Sequence, residues 1–274
     1  MCTLVALHAV HPAAPLVVAA NRDEFHARAS VPPAVLHEVP RVVAGRDAEK
    51  GGTWLGACSS GLFVGLTNQR EWAAKPRDAL RSRGEVTLAA LRRGSVEGVH
   101  ALLDDLDTAS LAGFNLLYGD GRSLHVAYAR PGAAVERRAL PPGIHVLTND
   151  RMGSPHFPKA ARAETLARRA LAATCEAPVD ALLHRLEELL ADRELPPLED
   201  VPEPPRGARV DRVLARRLQA LCIDTPVYGT VSATMLALEP GAVRAHRFAD
   251  GAPGQAAFED VTPLHRRAPM LVGH

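Results

Sequence analysis

The apolar runs of this 274-residue chain come in pairs joined by short turns, and this pairing limits the possible folds more than any other feature. Residues 3–9 and 16–20 are separated by turn residues that include Pro12 and Pro15, which predicts an antiparallel hairpin almost at the start of the chain. Residues 53–57 and 62–66 flank Ser59-Ser60-Gly61 and predict a second hairpin. Residues 114–118, 123–129 and 144–148 predict strands divided by Gly119-Asp120-Gly121 and Pro141-Pro142-Gly143. Residues 228–238 and 243–248, joined by Glu239-Pro240-Gly241, predict one more hairpin. Between them the spacing turns helical over 85–93, 96–106 (with Ser95 as N-cap), 158–173 and 179–192. Strands in hairpins with helices grouped between them make an α+β pattern, mostly antiparallel, and not βαβ alternation.

The whole chain, 1–274, reads as a single domain. The proline-rich stretch 196–205 fits neither helix nor central strand and is expected to be a surface loop, and 250–274 to be a tail with little structure of its own. With 47% apolar and 23% charged residues a sizeable core is expected and wholesale disorder is excluded. A net charge of +1 without a Lys/Arg-rich run speaks against nucleic acid and membrane surfaces as partners. Cys2, Cys58, Cys175 and Cys222 form no CxxC pair, and the histidines form no HExxH helix, so neither a disulfide scaffold nor a metal centre is expected. Residues 4–20 lack the charged flank of a signal peptide, and no run reaches the length of a membrane-spanning helix. These features predict a cytoplasmic protein.

The residue with the most chemistry is Cys2. Removal of Met1 would leave it as the first residue, with a thiol of pKa about 8.5 and an α-amine of pKa about 7.7–8.0 on one residue. The amine serves such a thiol as general base, directly or through a water, and the thiolate attacks an amide or ester carbonyl. Directly after the second run comes Asn21-Arg22-Asp23-Glu24, which hairpin pairing brings beside Cys2. A carboxylate there holds an amine, and an arginine favours the thiolate. If the strand continues through them, Arg22 and Asp23 face opposite ways, one towards the site and one locking the backbone. Thr67-Asn68 and Thr148-Asn149 each close a predicted strand, where an asparagine amide is suited to an oxyanion hole.

Met-Cys-Thr-Leu, Asn-Arg-Asp-Glu, Gly-Gly-Thr-Trp-Leu-Gly (51–56), Leu-Thr-Asn-Gln-Arg, Leu-Thr-Asn-Asp and Tyr-Gly-Thr-Val-Ser-Ala-Thr together resemble the NRDE family, whose eukaryotic members are called transport and Golgi organisation protein 2. The matching blocks run from residue 1 to about 238. The resemblance implies the fold of the N-terminal-nucleophile (Ntn) hydrolases, a four-layer αββα sandwich, as in choloylglycine hydrolases and related amidases. By that likeness Cys2 is nucleophile and base, Asn21 and Asp23 orient the amine, Asn149 with Asn68 stabilises the oxyanion, and Arg22 supplies electrostatics or a substrate contact. The implied reaction is cofactor-free hydrolysis of a small-molecule, non-peptide amide. The pattern departs from those amidases at Ala20, where they carry an arginine, and from much of the family at Val231, where an arginine is frequent. The family link also implies two alternatives. One is a haem-binding or haem-trafficking protein, with His8, His11, His26, His125 or His156 as axial ligand. The other is a degenerate hydrolase fold with a lipid, acyl-CoA or interaction role.

Overall fold

The computed structural model describes residues 2–70, 81–208 and 210–266. In chain order its first strands are β1 (Thr3–His11), β2 (Ala14–Phe25), β3 (Ser30–Glu38), β4 (Arg41–Asp47), β5 (Leu55–Cys58) and β6 (Phe63–Asn68). Helices α1 (Arg83–Arg93) and α2 (Val96–Asp104) follow, then β7 (Phe114–Gly119), β8 (Leu124–Ala129), β9 (Glu136–Leu140) and β10 (Gly143–Leu147). Next come α3 (Lys159–Thr174), α4 (Val179–Leu190) and the short α5 (Arg212–Arg217). The last strands are β11 (Tyr228–Glu239), β12 (Ala242–Ala249) and β13 (Glu259–Asp260). One six-stranded antiparallel sheet has the order β10-β1-β2-β11-β12-β13, and a seven-stranded one runs β3 to β9 in sequence.

Alternation along β1 shows how the layers form. Leu4 and Ala6 enter a core shared with Phe63, Leu117 and Val126 of the other sheet. Val5 and Leu7 enter a second core with Ala163, Ala167, Leu182 and Leu186 of α3 and α4. Each strand face is therefore apolar, as expected for a sheet covered on both sides. A third core joins the outer face of the seven-stranded sheet to Val86, Leu91, Val99 and Leu103 of α1 and α2. The result is an α+β sandwich of four layers, αββα. Gly65 sets the spacing of the two sheets, because a Cβ there would fall 2.3 Å from Leu4 Cδ2.

Several elements differ from the sequence reading. Strand β2 does not stop at Ala20 but runs to Phe25, because β11 pairs with it as far as Tyr228↔Phe25. The edge strand β3 carries Pro32 and Pro33, which are tolerated there because an edge needs fewer backbone donors. The opposite edge, β9, is polar (Glu136-Arg137-Arg138) and shows no apolar run. Asp211 caps α5 through Leu214 N at 2.7 Å, just as Ser95 caps α2 through Gly98 N. The 196–205 stretch forms one 3-10 turn at Leu198–Asp200 and buries Val201 but is otherwise largely at the surface. The expected tail is ordered over 250–266. There β13 pairs with β12, and a turn at Thr262–His265 buries both its end residues. His246 Nδ1 and His265 Nε2 lie 2.9 Å apart in that contact. Residues 267–274 of the tail lie outside the described residues.

Candidate active site

The β1–β2 register places Thr3 opposite Asn21, so one rung outward Cys2 stands opposite Arg22. Residues opposed in this way have Cα atoms about 4.5–5.5 Å apart and share a face. That face is the inter-sheet one. Cys2 packs against the core between the sheets and lies, partly buried, in a cleft of about 280 Å³ lined also by Arg22, Asp23, Trp54, Leu66 and Asn68. Burial pushes the Cys2 thiol up, and the Asp23 carboxylate adds to the rise. The Asp23 backbone N–H and the Arg22 guanidinium oppose it.

The cleft wall explains the Gly-Gly-Thr-Trp block. A Cβ on Gly52 would meet the Gly84 carbonyl carbon at 2.4 Å, so only glycine lets the two backbones touch and Thr53 N donate to Gly84 O at 3.1 Å. Trp54, two residues on, lies under Arg22, whose guanidinium carbon is 4.3 Å from the ring centroid. The Arg22 side chain is 5% exposed, with one further contact from Nη1 to Ser30 Oγ at 3.4 Å.

Asp23 presents its side chain to the helix layer. Its Oδ1 accepts from Thr230 Oγ1 at 2.7 Å, and its backbone carbonyl accepts from Tyr228 Oη at 2.7 Å. Its Oδ2 lies 3.7 Å from Nζ of Lys159, the first residue of α3, and both side chains are fully buried. Desolvation works against both charges, raising the Asp23 carboxyl and lowering the Lys159 ammonium, and each partner restrains the other's shift. Asn21 also points to the helix layer, donating from Nδ2 to Leu190 O at 2.8 Å and Leu221 O at 2.9 Å.

The two Thr-Asn strand ends meet. Asn149 is buried, and its Nδ2 donates to Asn68 O at 2.7 Å, while Arg70 N donates to Asn149 O. Thr67 Oγ1 donates to Thr148 O at 2.6 Å, and Asn115 bridges Thr67 and Thr148. Asn68 itself is exposed in the cleft. The structure thus brings Cys2, Arg22, Asp23 and Asn68 to one cleft. Asn21 and Asn149 lie outside its lining, in the hydrogen bonds that hold it.

Residues 1–245 match the family described as Transport and Golgi organisation 2. The chain belongs to that family. It is 28% identical over 242 residues to the human Transport and Golgi organization protein 2 homolog, covering 82% of each chain. Among solved structures it is similar to the C2A mutant of conjugated bile acid hydrolase from Clostridium perfringens, with a TM-score of 0.58 at 12% identity and coverage of 98% and 95%. It is also similar to penicillin V acylase from Agrobacterium tumefaciens, with a TM-score of 0.53 at 14% identity and coverage of 97% and 87%. At such identities the likeness establishes the fold, that of the Ntn hydrolases.

In this member of the family Val231 falls at a β-bulge, where pairing shifts between Thr230↔Asp23 and Ser232↔Arg22. The cation that meets Asp23 is Lys159, which sequence reasoning missed. One clue was available: a lysine opening a helix opposes the helix dipole, so its position calls for another explanation. None of His8, His11, His26, His125 and His156 lines the cleft. His11 and His26 are engaged by the carbonyls of Thr174 and Thr225, and His125 stacks on Tyr118. No helix among the described residues is long and apolar enough to cross a membrane.

Proposed function

We propose that the chain is a cysteine-dependent hydrolase of small, non-peptide amides, with Cys2 as nucleophile once Met1 has been removed. The observation that carries this reading is the position of Cys2: it heads a central strand and opens into a cleft beside a buried arginine and the backbone N–H of Asp23. The fold shared with a bile acid hydrolase and a penicillin acylase supports it.

Burial favours the neutral thiol over the thiolate, so attack calls for a base. The α-amine takes the thiol proton as sulfur attacks the carbonyl, and Arg22 stabilises the developing thiolate. The oxyanion forms where Asn68 faces the cleft, and Asn149 fixes that strand end from behind. The protonated amine then gives its proton to the leaving nitrogen. A water, deprotonated by the same amine, releases the acid and regenerates Cys2. Asp23, held by Thr230 and Lys159, supplies the negative charge that orients the ammonium stage.

The test is Cys2→Ala in a screen of small N-acyl amides. The variant is expected to keep its melting temperature and to lose turnover and covalent labelling together. Turnover that survives in Cys2→Ala overturns the reading. A haem Soret shift indifferent to Cys2, with no turnover of any amide, favours the carrier alternative.

A further inference from the structure

Arg22 is a buried cation of the cleft with no acidic partner among the described residues. Arg28 engages Asp47 Oδ2 through Nε at 3.0 Å and Nη2 at 2.7 Å, and reaches Glu24 at 3.5 Å. Asp23 faces Lys159. The three carboxylates lining the cleft are therefore already committed to other cations. Arg22 is 95% buried by its 5% exposure, stacked on Trp54 and held by a single long contact to Ser30. No acidic side chain among the described residues lies within ion-pair distance of it. A buried cation without a counter-charge is costly, and an arginine laid flat on an aromatic ring keeps its planar fork of N–H donors at the edge.

We propose that Arg22 forms a carboxylate subsite, so that the substrate is an amide carrying a carboxylate a few bonds from its scissile carbonyl, such as an N-acyl amino acid. The inference rests on the hydrolase reading of Cys2. Proximity sets the short spacer, because Arg22 stands on the rung opposite Cys2. A single fork fits one carboxylate in bidentate fashion. Trp54 closes one face of that fork, so the anion must approach in the guanidinium plane.

Two alkylating agents that differ only in this group provide the test. Iodoacetate and iodoacetamide both place a CH2 on sulfur and expel iodide, but only iodoacetate carries a carboxylate. Labelling is followed by mass spectrometry at Cys2 and, as an internal reference, at the exposed Cys175. The iodoacetate-to-iodoacetamide rate ratio is expected to be about tenfold higher at Cys2 than at Cys175, the size of one charge-assisted contact. Arg22→Gln should bring it down to the Cys175 value, and Arg22→Lys should restore part of it. On the unaltered protein, N-acetylglycine should slow labelling of Cys2 by iodoacetamide while N-acetylglycinamide should not, which avoids any folding defect of the variants. Equal ratios at the two cysteines, or equal protection by the two glycine derivatives, overturn the subsite. The hydrolase reading fails separately, through the absolute rate: Cys2 reacting with iodoacetamide no faster than Cys175 removes the activated nucleophile.

Discussion

The two faces of β2 at Asn21-Arg22-Asp23 serve different ends. On the cleft face Arg22 stands beside Cys2, near an asparagine open to solvent, with part of its donor set uncommitted. On the helix face Asn21 spends its amide on two carbonyls and Asp23 meets a fully buried lysine. The cleft face therefore leaves polar groups uncommitted, and the helix face engages them in buried contacts. The same division separates Asn68 from Asn149, which look alike in sequence. One faces the cleft, and the other is buried behind it as a brace.

The comparison breaks if helix-face variants leave stability untouched. Lys159→Met should cost most, about 3–5 kcal/mol in urea unfolding, because it removes the buried cation that faces the Asp23 carboxylate. Adding Asp23→Asn should recover much of the loss, since the double variant removes both charges. A loss under about 1 kcal/mol for the single variant would place the pair outside the stabilising framework.

The His246–His265 contact lies away from the cleft and provides a structural reference. Burial lowers His265 to about 4, and the nearby Arg41 adds to the shift. Its folded-state pKa lies below the unfolded value of about 6.5. The stability it contributes is thus complete above about pH 6.5 and is lost as pH falls through about 4. Between those limits the loss is about 3 kcal/mol, at roughly 1.4 kcal/mol per pH unit. His265→Gln, which does not titrate, should flatten that acid limb in a pH series of urea melts. Its partner His246, which burial and then His265 lower to about 3, loses stability in the same direction, so an unchanged limb would assign acid lability to His246 or the carboxylates.

Asn21→Ala should cost about 2 kcal/mol by leaving the Leu190 and Leu221 carbonyls without their donor. Asn149→Ala should cost about 1–2 kcal/mol for the brace to Asn68 O. Asn68→Ala should fall within about 0.5 kcal/mol of the parent, as exposed positions do, while slowing amide turnover. If Asn68→Ala and Asn149→Ala cost the same, the division between the two ends is lost.

Much of this arrangement was legible in the sequence because it depends on period and on turns. The first hairpin, the opposite facing of Arg22 and Asp23 and the grouping of helices follow from local rules. The extent of β2 did not, because residues 21–25 look like a polar turn until β11, some two hundred residues later, pairs with them. Edge strands β3 and β9 were hidden by prolines and by charge, which an edge tolerates and a central strand does not. Lys159 was hidden for a different reason: its partner Asp23 is distant in sequence, and no local pattern records a long-range ion pair. The role of Asn149 as a brace depends likewise on the meeting of two strand ends that the sequence presents as separate.

The proposed chemistry rests on Cys2 being an activated N-terminal nucleophile. Its most direct test is the intact mass of the purified protein before and after exposure to a thiol-reactive acylating probe, with the modified residue located by peptide mapping. The expected result is that Met1 is absent and that a single probe adds at Cys2 much faster than at Cys58, Cys175 or Cys222. Retention of Met1, or a Cys2 no more reactive than the exposed Cys175, would contradict it.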